Sequence, residues 1–326
     1  MIDSASRQLI RKINLAEETK KGKVLFMAHN VQVAPDGKSV WATANAMHED
    51  DLEERGMKAM EDEKFIEGDD EIIVIDPLKD EIVERIKMGR DLHLSHVALT
   101  PDSRYAIAAS QDRGMVYKIN TGSYMVEKEI KIGEEPHGLR ISPDGKEAYV
   151  AMIKDESLII LDLDSFSFYS ILLTGPAVQA GVTADNDYVL VSIYEPASLA
   201  IYDKKQDKID YVRLPEGARG PIQMYATPDS SYVYLADQGY YFEQPTNNKI
   251  YKINIKEKKI EKEIIAGEGP HGVVVSDDGK FVYVANLLSK DVSVIDTQTD
   301  TEVARISVGE MPNGISVWNK NSGGTE

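Results

Sequence analysis

The sequence contains no cysteine. That excludes disulfides, thiolate-bound metals, thiolate iron–sulfur clusters, covalent c-type haem and a cysteine nucleophile. It leaves the compartment open, because reducing and oxidising surroundings both tolerate such a chain. No run of 18 apolar residues occurs, so no transmembrane helix is expected. The chain opens with no basic-then-apolar leader. Positive charge is scarce: 37 Lys and Arg face 55 Asp and Glu, for a net −18. This argues against a nucleic-acid backbone or an anionic membrane as partner. A Gly-rich phosphate loop, a G-x-S-x-G elbow and a His-Glu-x-x-His pair are also missing, so no nucleotide cofactor is expected. Histidine is rare, with six in 326 residues, which makes each position informative.

What is present is repetition. A strand ending in Asp or Asn, a polar turn and a second strand recur seven times, as in VIDPLKDEIVERI, ILDLDSFSFYSIL and VIDTQTDTEVARI. A second unit alternates with it: a short strand, a turn and an aromatic-rich strand, as in VQVAPDGKSVWATAN, LRISPDGKEAYVAM and VVVSDDGKFVYVAN. The pair returns every ~42 residues, the length of a propeller blade. Asp36-Gly37, Asp144-Gly145 and Asp278-Gly279 suit tight hairpins, and the flanking runs alternate apolar and polar with period two. The expected fold is all-β: one seven-bladed propeller over 1–326, four antiparallel strands per blade. Met1-Ile2-Asp3 matches Val294-Ile295-Asp296, so the chain begins in the third strand of a blade whose first strand is EMPNGISVW. The ring is expected to close by pairing the N- and C-terminal strands. No candidate exists for the second strand of that blade, so either it has three strands or the natural chain extends upstream of Met1.

In a propeller, the connections entering the innermost strand and those between the second and third strands share one face, here called the top. His29, His93, His96, His137 and His271 fall in or beside the former, and His48 in the latter. Counting seven residues back from each turn aspartate gives His29, Ser95, His137, Val178, Ile222 and His271, with Asn313 at the matching Pro-x-Gly. One residue later lie Asn30, His96, Gln179 and Gln223. An offset of one reverses a strand side chain, so His96 joins the others only through a bulge or early twist. Imidazoles converging on a rigid ring suit a metal ion. Without thiolates the set favours copper, with zinc or iron as alternatives. His29, His96, His137 and His271 are the expected ligands, with His48 and His93 in reserve. Asn30, Asn45, Gln179, Gln223 and Asn313 are expected around them. Glu135 and Glu268 would orient imidazoles.

Two insertions rise from the top. Residues 46–70 hold eleven Asp/Glu against three Lys/Arg. A short helix over 51–65 is expected there, serving as a lid or an acidic docking element. Residues 237–248 bring Tyr240, Tyr241 and Phe242, which either wall a pocket or pack on the next blade. Arg90 and Arg219 lie on the same face and could hold an anion or form rim ion pairs.

The segment GVVVSDDGKFVYVANLLSKDVSVIDTQTDTEVARISVG resembles the YVTN family of propeller repeats, and the likeness extends over essentially the whole chain. That resemblance implies the fold and an exported setting, periplasmic or extracellular, while the missing leader leaves the cytoplasm open. The histidine face is similar in plan to the propeller of nitrous oxide reductase, although this chain has fewer histidines and no second copper domain. The repeat is also similar to the d1-haem domain of cytochrome nitrite reductases, against which the acidic rim speaks. The expected function is a copper-binding, redox-capable propeller, and the alternatives are a surface-layer or interaction scaffold or a tetrapyrrole binder. A small ligand or a protein would be met at the top face by a monomer.

Overall fold

The turns show why the repeat folds as it does. At the end of each third strand, an Asp or Asn side chain accepts hydrogen bonds from backbone amides two or three residues ahead. Asp76 takes Leu78 and Lys79, Asp162 takes Asp164 and Ser165, and Asp296 takes Gln298 and Thr299. These local bonds replace the ladder where the chain reverses. Five of the six first hairpins use a second device; in the remaining one Ala34 stands at the hydroxyl's position. Thr100, Ser142, Thr183, Thr227 and Ser276 donate to the aspartate two residues on, at 2.5–2.7 Å. The third turn residue adopts positive φ, as at Gly37 and Gly145.

A computed structural model describes residues 1–48 and 64–318. Six four-stranded antiparallel meanders follow one another: blade I (26–89), II (94–131), III (136–172), IV (177–213), V (221–265) and VI (270–307). Their first strands are Phe26–Val33, Leu94–Leu99, Pro136–Ile141, Ala177–Val182, Pro221–Ala226 and Pro270–Val275. Consecutive first strands lie side by side and form the channel wall. Most of the core lies between blades. One apolar cluster joins I and II around Trp41, Ile72 and Leu94, and another joins III and IV around Tyr149 and Leu158. Trp41, Tyr149, Tyr234 and Tyr251 are fully buried, and side chains of this size each contribute roughly 2–3 kcal/mol on burial.

Two expectations need correction. The all-β propeller forms, but with six blades rather than seven. The expected pairing of the chain ends does not occur among the described residues: Ile2 and Asp3 pair with Leu9 and Gln8, and 312–318 takes no strand partner. The gap between VI and I is bridged instead by side chains. Ile2 and Ile315 cover the free face of VI, while Ile13 and Leu15 cover that of I. Ser316 Oγ accepts from Val33 N at 3.1 Å and Trp318 Nε1 donates to the Gly37 carbonyl at 2.9 Å. Repeat counting scored this wedge as a blade because its strand sequences match, although it lacks the partners that make a sheet.

The helix expected over 51–65 lies outside the described residues except for Lys64 and Phe65. Phe65 forms an isolated parallel bridge to Lys23.

Candidate metal centre

Each blade enters the channel through the same irregularity. In blade I, Ala28 pairs with Ala44 and Val31 with Ala42, so His29 and Asn30 together face Thr43. Ser95-His96, His137-Gly138, Ile222-Gln223 and His271-Gly272 are likewise doubled against one partner residue, and Val178 is an extra residue in blade IV. These are β-bulges, which bend a strand and re-aim its side chains. They fall on the register that holds the histidines. The bulge also removes the objection to His96, whose offset of one would otherwise turn it away.

Three imidazoles meet there. One ring nitrogen from each of His29, His96 and His137 lies within 4.8 Å of the others. The ring centroids are 5.2 Å apart for His29–His137, 5.3 Å for His96–His137 and 5.7 Å for His29–His96. His29 Nδ1 donates to the Ser95 carbonyl at 2.5 Å and His137 Nδ1 to the Val178 carbonyl at 2.9 Å. A carbonyl only accepts, so Nδ1 carries the proton in both rings and Nε2 presents a lone pair. His96 is fully buried, and neither of its ring nitrogens has a partner. Leaving such a group unsatisfied costs about 1–3 kcal/mol.

The electrostatics keep these rings neutral. Burial pushes His29 down to about 4 against the smaller opposing effect of the Ser95 carbonyl, with His93 lowering it further. Burial and then the neighbouring His29 push His137 down to about 3. His96 is held well below the ordinary range by burial, then by His137 and His29. Neutral imidazoles are the form that binds metals.

Other side chains hold the bulges in place. Asn45 is bonded twice to Leu94, donating to its carbonyl at 3.2 Å and accepting from its amide at 2.7 Å. Asn30 Oδ1 accepts from Val97 N at 3.2 Å. Ser95 Oγ donates to the His137 carbonyl at 3.0 Å. Gln179, fully buried, donates to the Ala180 carbonyl at 3.0 Å. Its Oε1 would lie 2.3 Å from a Cβ at position 138, so glycine is required beside it.

The remaining candidates are distributed around this group. His271 is buried, shares its Nδ1 with Gln223 Nε2 at 3.3 Å and is hydrogen-bonded to the backbone of Asn313. It is not part of the close triad, although burial, His29 and His137 together hold its pKa well down. Tyr241 stands edge-on to it at 5.5 Å, and Tyr240 packs on Tyr241 at 5.4 Å. Phe242 turns the other way and stacks on Tyr194 of blade IV at 3.9 Å. Both readings of this aromatic insertion therefore apply, to different rings. A cavity of about 300 Å³ opens beside His29, lined also by Tyr241, Met27, Met311 and Asn313. His93 is 5.7 Å from His29 but faces Asp112 at 3.7 Å on the rim, and His48 lies between Glu67 and Asp91. Glu268 is exposed and Glu135 partly so. Carbonyls of the next blade orient the imidazoles in place of these two carboxylates. That role was invisible in the sequence, because a backbone carbonyl leaves no trace in residue identity.

The comparisons with known proteins agree with this architecture. A family model described as YNCE-like beta-propeller matches residues 65–322. Antigen Lp49 of Leptospira interrogans is 24% identical over 335 aligned positions, covering 97% of this chain and 57% of the relative. An uncharacterised protein of Staphylococcus saprophyticus is 25% identical, covering 62% of this chain and 61% of its own length. The chain thus spans less than two thirds of each of these relatives. Among solved structures, Kuenenia stuttgartiensis hydrazine synthase superposes with a TM-score of 0.75 at 16% identity, over 95% of this chain and 93% of the other. Virginiamycin B lyase from Staphylococcus aureus gives 0.71 at 13% identity, over 94% and 92%. At these identities the structural likeness bears on fold alone. The family match, extending from blade I through blade VI, carries the assignment: the chain belongs to the YNCE-like beta-propeller family.

Proposed function

We propose that this protein is a metal-binding propeller that holds one ion, copper first, through His29, His96 and His137 at the top of its channel. The observation that carries the reading is the triad itself. It has three neutral ring nitrogens within 4.8 Å, two rings locked by carbonyls, and a third buried with no partner of its own. An all-nitrogen, thiolate-free donor set suits copper better than structural zinc. Held by these three residues, an ion would keep room for water or a small ligand, and copper would supply one-electron chemistry. His271, beside Tyr241 and outside the close triad, is assigned an outer position in this reading. Rings only 5.2–5.7 Å apart enclose an ion more readily than a flat macrocycle, which favours this reading over a tetrapyrrole.

The test is elemental analysis after reconstitution with copper, zinc and iron in turn. One equivalent of copper in the wild type, absent in a His96→Ala/His137→Ala variant of unchanged β circular dichroism, supports the proposal. Equal copper in that variant would refute it.

A further inference from the structure

The channel beneath the triad differs from the rest of this acidic protein. The six first strands and the closing segment 311–318 contain no Asp or Glu, and Arg140 is their only Lys or Arg. Arg140 lies three residues beyond His137 on the same strand, two residues past the bulge. Its Nη1 donates to the carbonyl of Leu139 at 2.9 Å. Among the described residues no carboxylate pairs with it. By contrast, Arg90, on the top rim, pairs with Glu67 at 3.2 Å, and the backbone amide of Arg219 is tied to Asp237. Arg140 of blade III is near enough to influence His96 of blade II and to be influenced by Tyr225 of blade V.

A guanidinium withdrawn from bulk water without a counter-charge is costly, and proteins usually pair it. The planar fork of arginine matches the two oxygens of a small oxyanion. Arg140 is half-buried rather than enclosed, and its partial burial lowers its pKa. Tyr225, exposed on the first strand of blade V, places a phenolic group within electrostatic reach of it.

We propose that the channel below the three histidines is a binding site for a small inorganic oxyanion, held by Arg140, with Tyr225 of blade V nearby. The site does not depend on an ion being bound above it. If one is bound, the anion would also balance its charge, since the channel walls offer no carboxylate.

The experiment uses metal-free full-length protein, with nitrate as the probe. Melting temperature is followed from 1 to 100 mM nitrate at constant ionic strength, with gluconate as the replacement anion. Wild type is expected to gain a few degrees across that range by mass action. The His29→Ala/His137→Ala variant should keep the gain, so failure of the metal reading and failure of this one are told apart. Arg140→Met should lose it. The same nitrate response in Arg140→Met, or none in wild type, would overturn the proposal. In case Arg140→Met does not fold, chloride-35 NMR linewidth on wild type and Arg140→Lys gives a second reading. Excess broadening that nitrate removes, weakened about tenfold by the lysine that loses the fork, is expected. Absence of excess broadening in wild type would contradict the site.

Discussion

Blades I to III and blades IV and V enter the channel through the same bulge, yet they put different chemistry on it. In the first three, the doubled residues supply His29, His96 and His137. In the next two they supply Val178 and Ile222, both buried in the apolar cluster that joins blades IV to VI. The backbone device is common, so the site is a property of side chains written onto one arc of a uniform ring. The two arcs also cooperate, because the Val178 carbonyl of blade IV orients His137 of blade III. Side chain and main chain at the same register therefore have separate duties.

The largest effect expected from breaking this contrast is on metal affinity. His96→Ala or His137→Ala should weaken copper binding by at least about a hundredfold, beyond what loss of an outer partner usually costs. Val178→Ala, which keeps its carbonyl, should leave affinity within about twofold. Titration monitored by the copper absorption band separates these outcomes.

Stability should show the reverse order. Ile222→Ala removes packing between blades and should cost about 2–5 kcal/mol in urea unfolding of the metal-free protein. His96→Ala, which deletes an unsatisfied buried ring, should be near neutral or stabilising.

A third effect is on pH dependence. The folded pKa of His29 is depressed to about 4 against an ordinary value of 6.5. The folded state therefore disfavours its charged form. This contribution to stability is fully present above pH 6.5 and is lost as pH falls toward 4. Between pH 7 and pH 5 metal-free protein should lose about 1–2 kcal/mol through His29 alone, and His29→Ala should flatten that slope in denaturant titrations at both pH values.

The smallest effects belong to the rim. His48→Ala and His93→Ala, which remove rings lying among Glu67, Asp91 and Asp112, should change copper affinity by no more than about twofold. A larger loss in His93→Ala would extend the centre outward from His29.

Much of this was legible in the sequence, for physical reasons that can be named. The turn aspartates and the period-two strands act locally, so the blades could be read without tertiary information. Counting back from those aspartates placed His29, His137 and His271 on one register, which the bulges occupy. His96 needed the bulge itself, a hydrogen-bonding irregularity that residue identity does not announce. The number of blades was misread because Ile2 and Ile315 look like strand residues, and only the partners around them decide whether a sheet forms. Glu135 and Glu268 were expected to orient the rings because they are adjacent in sequence, but the orienting carbonyls come from the next blade. Arg140 was passed over, although the same count that placed His137 puts it in the channel three residues later.

The most direct test of the central claim is a crystal structure of copper-loaded protein with anomalous scattering measured at the copper edge. The account predicts one peak within about 2.0–2.2 Å of a nitrogen from each of His29, His96 and His137. A peak at His48 or among the rim carboxylates, with none at the triad, would contradict it.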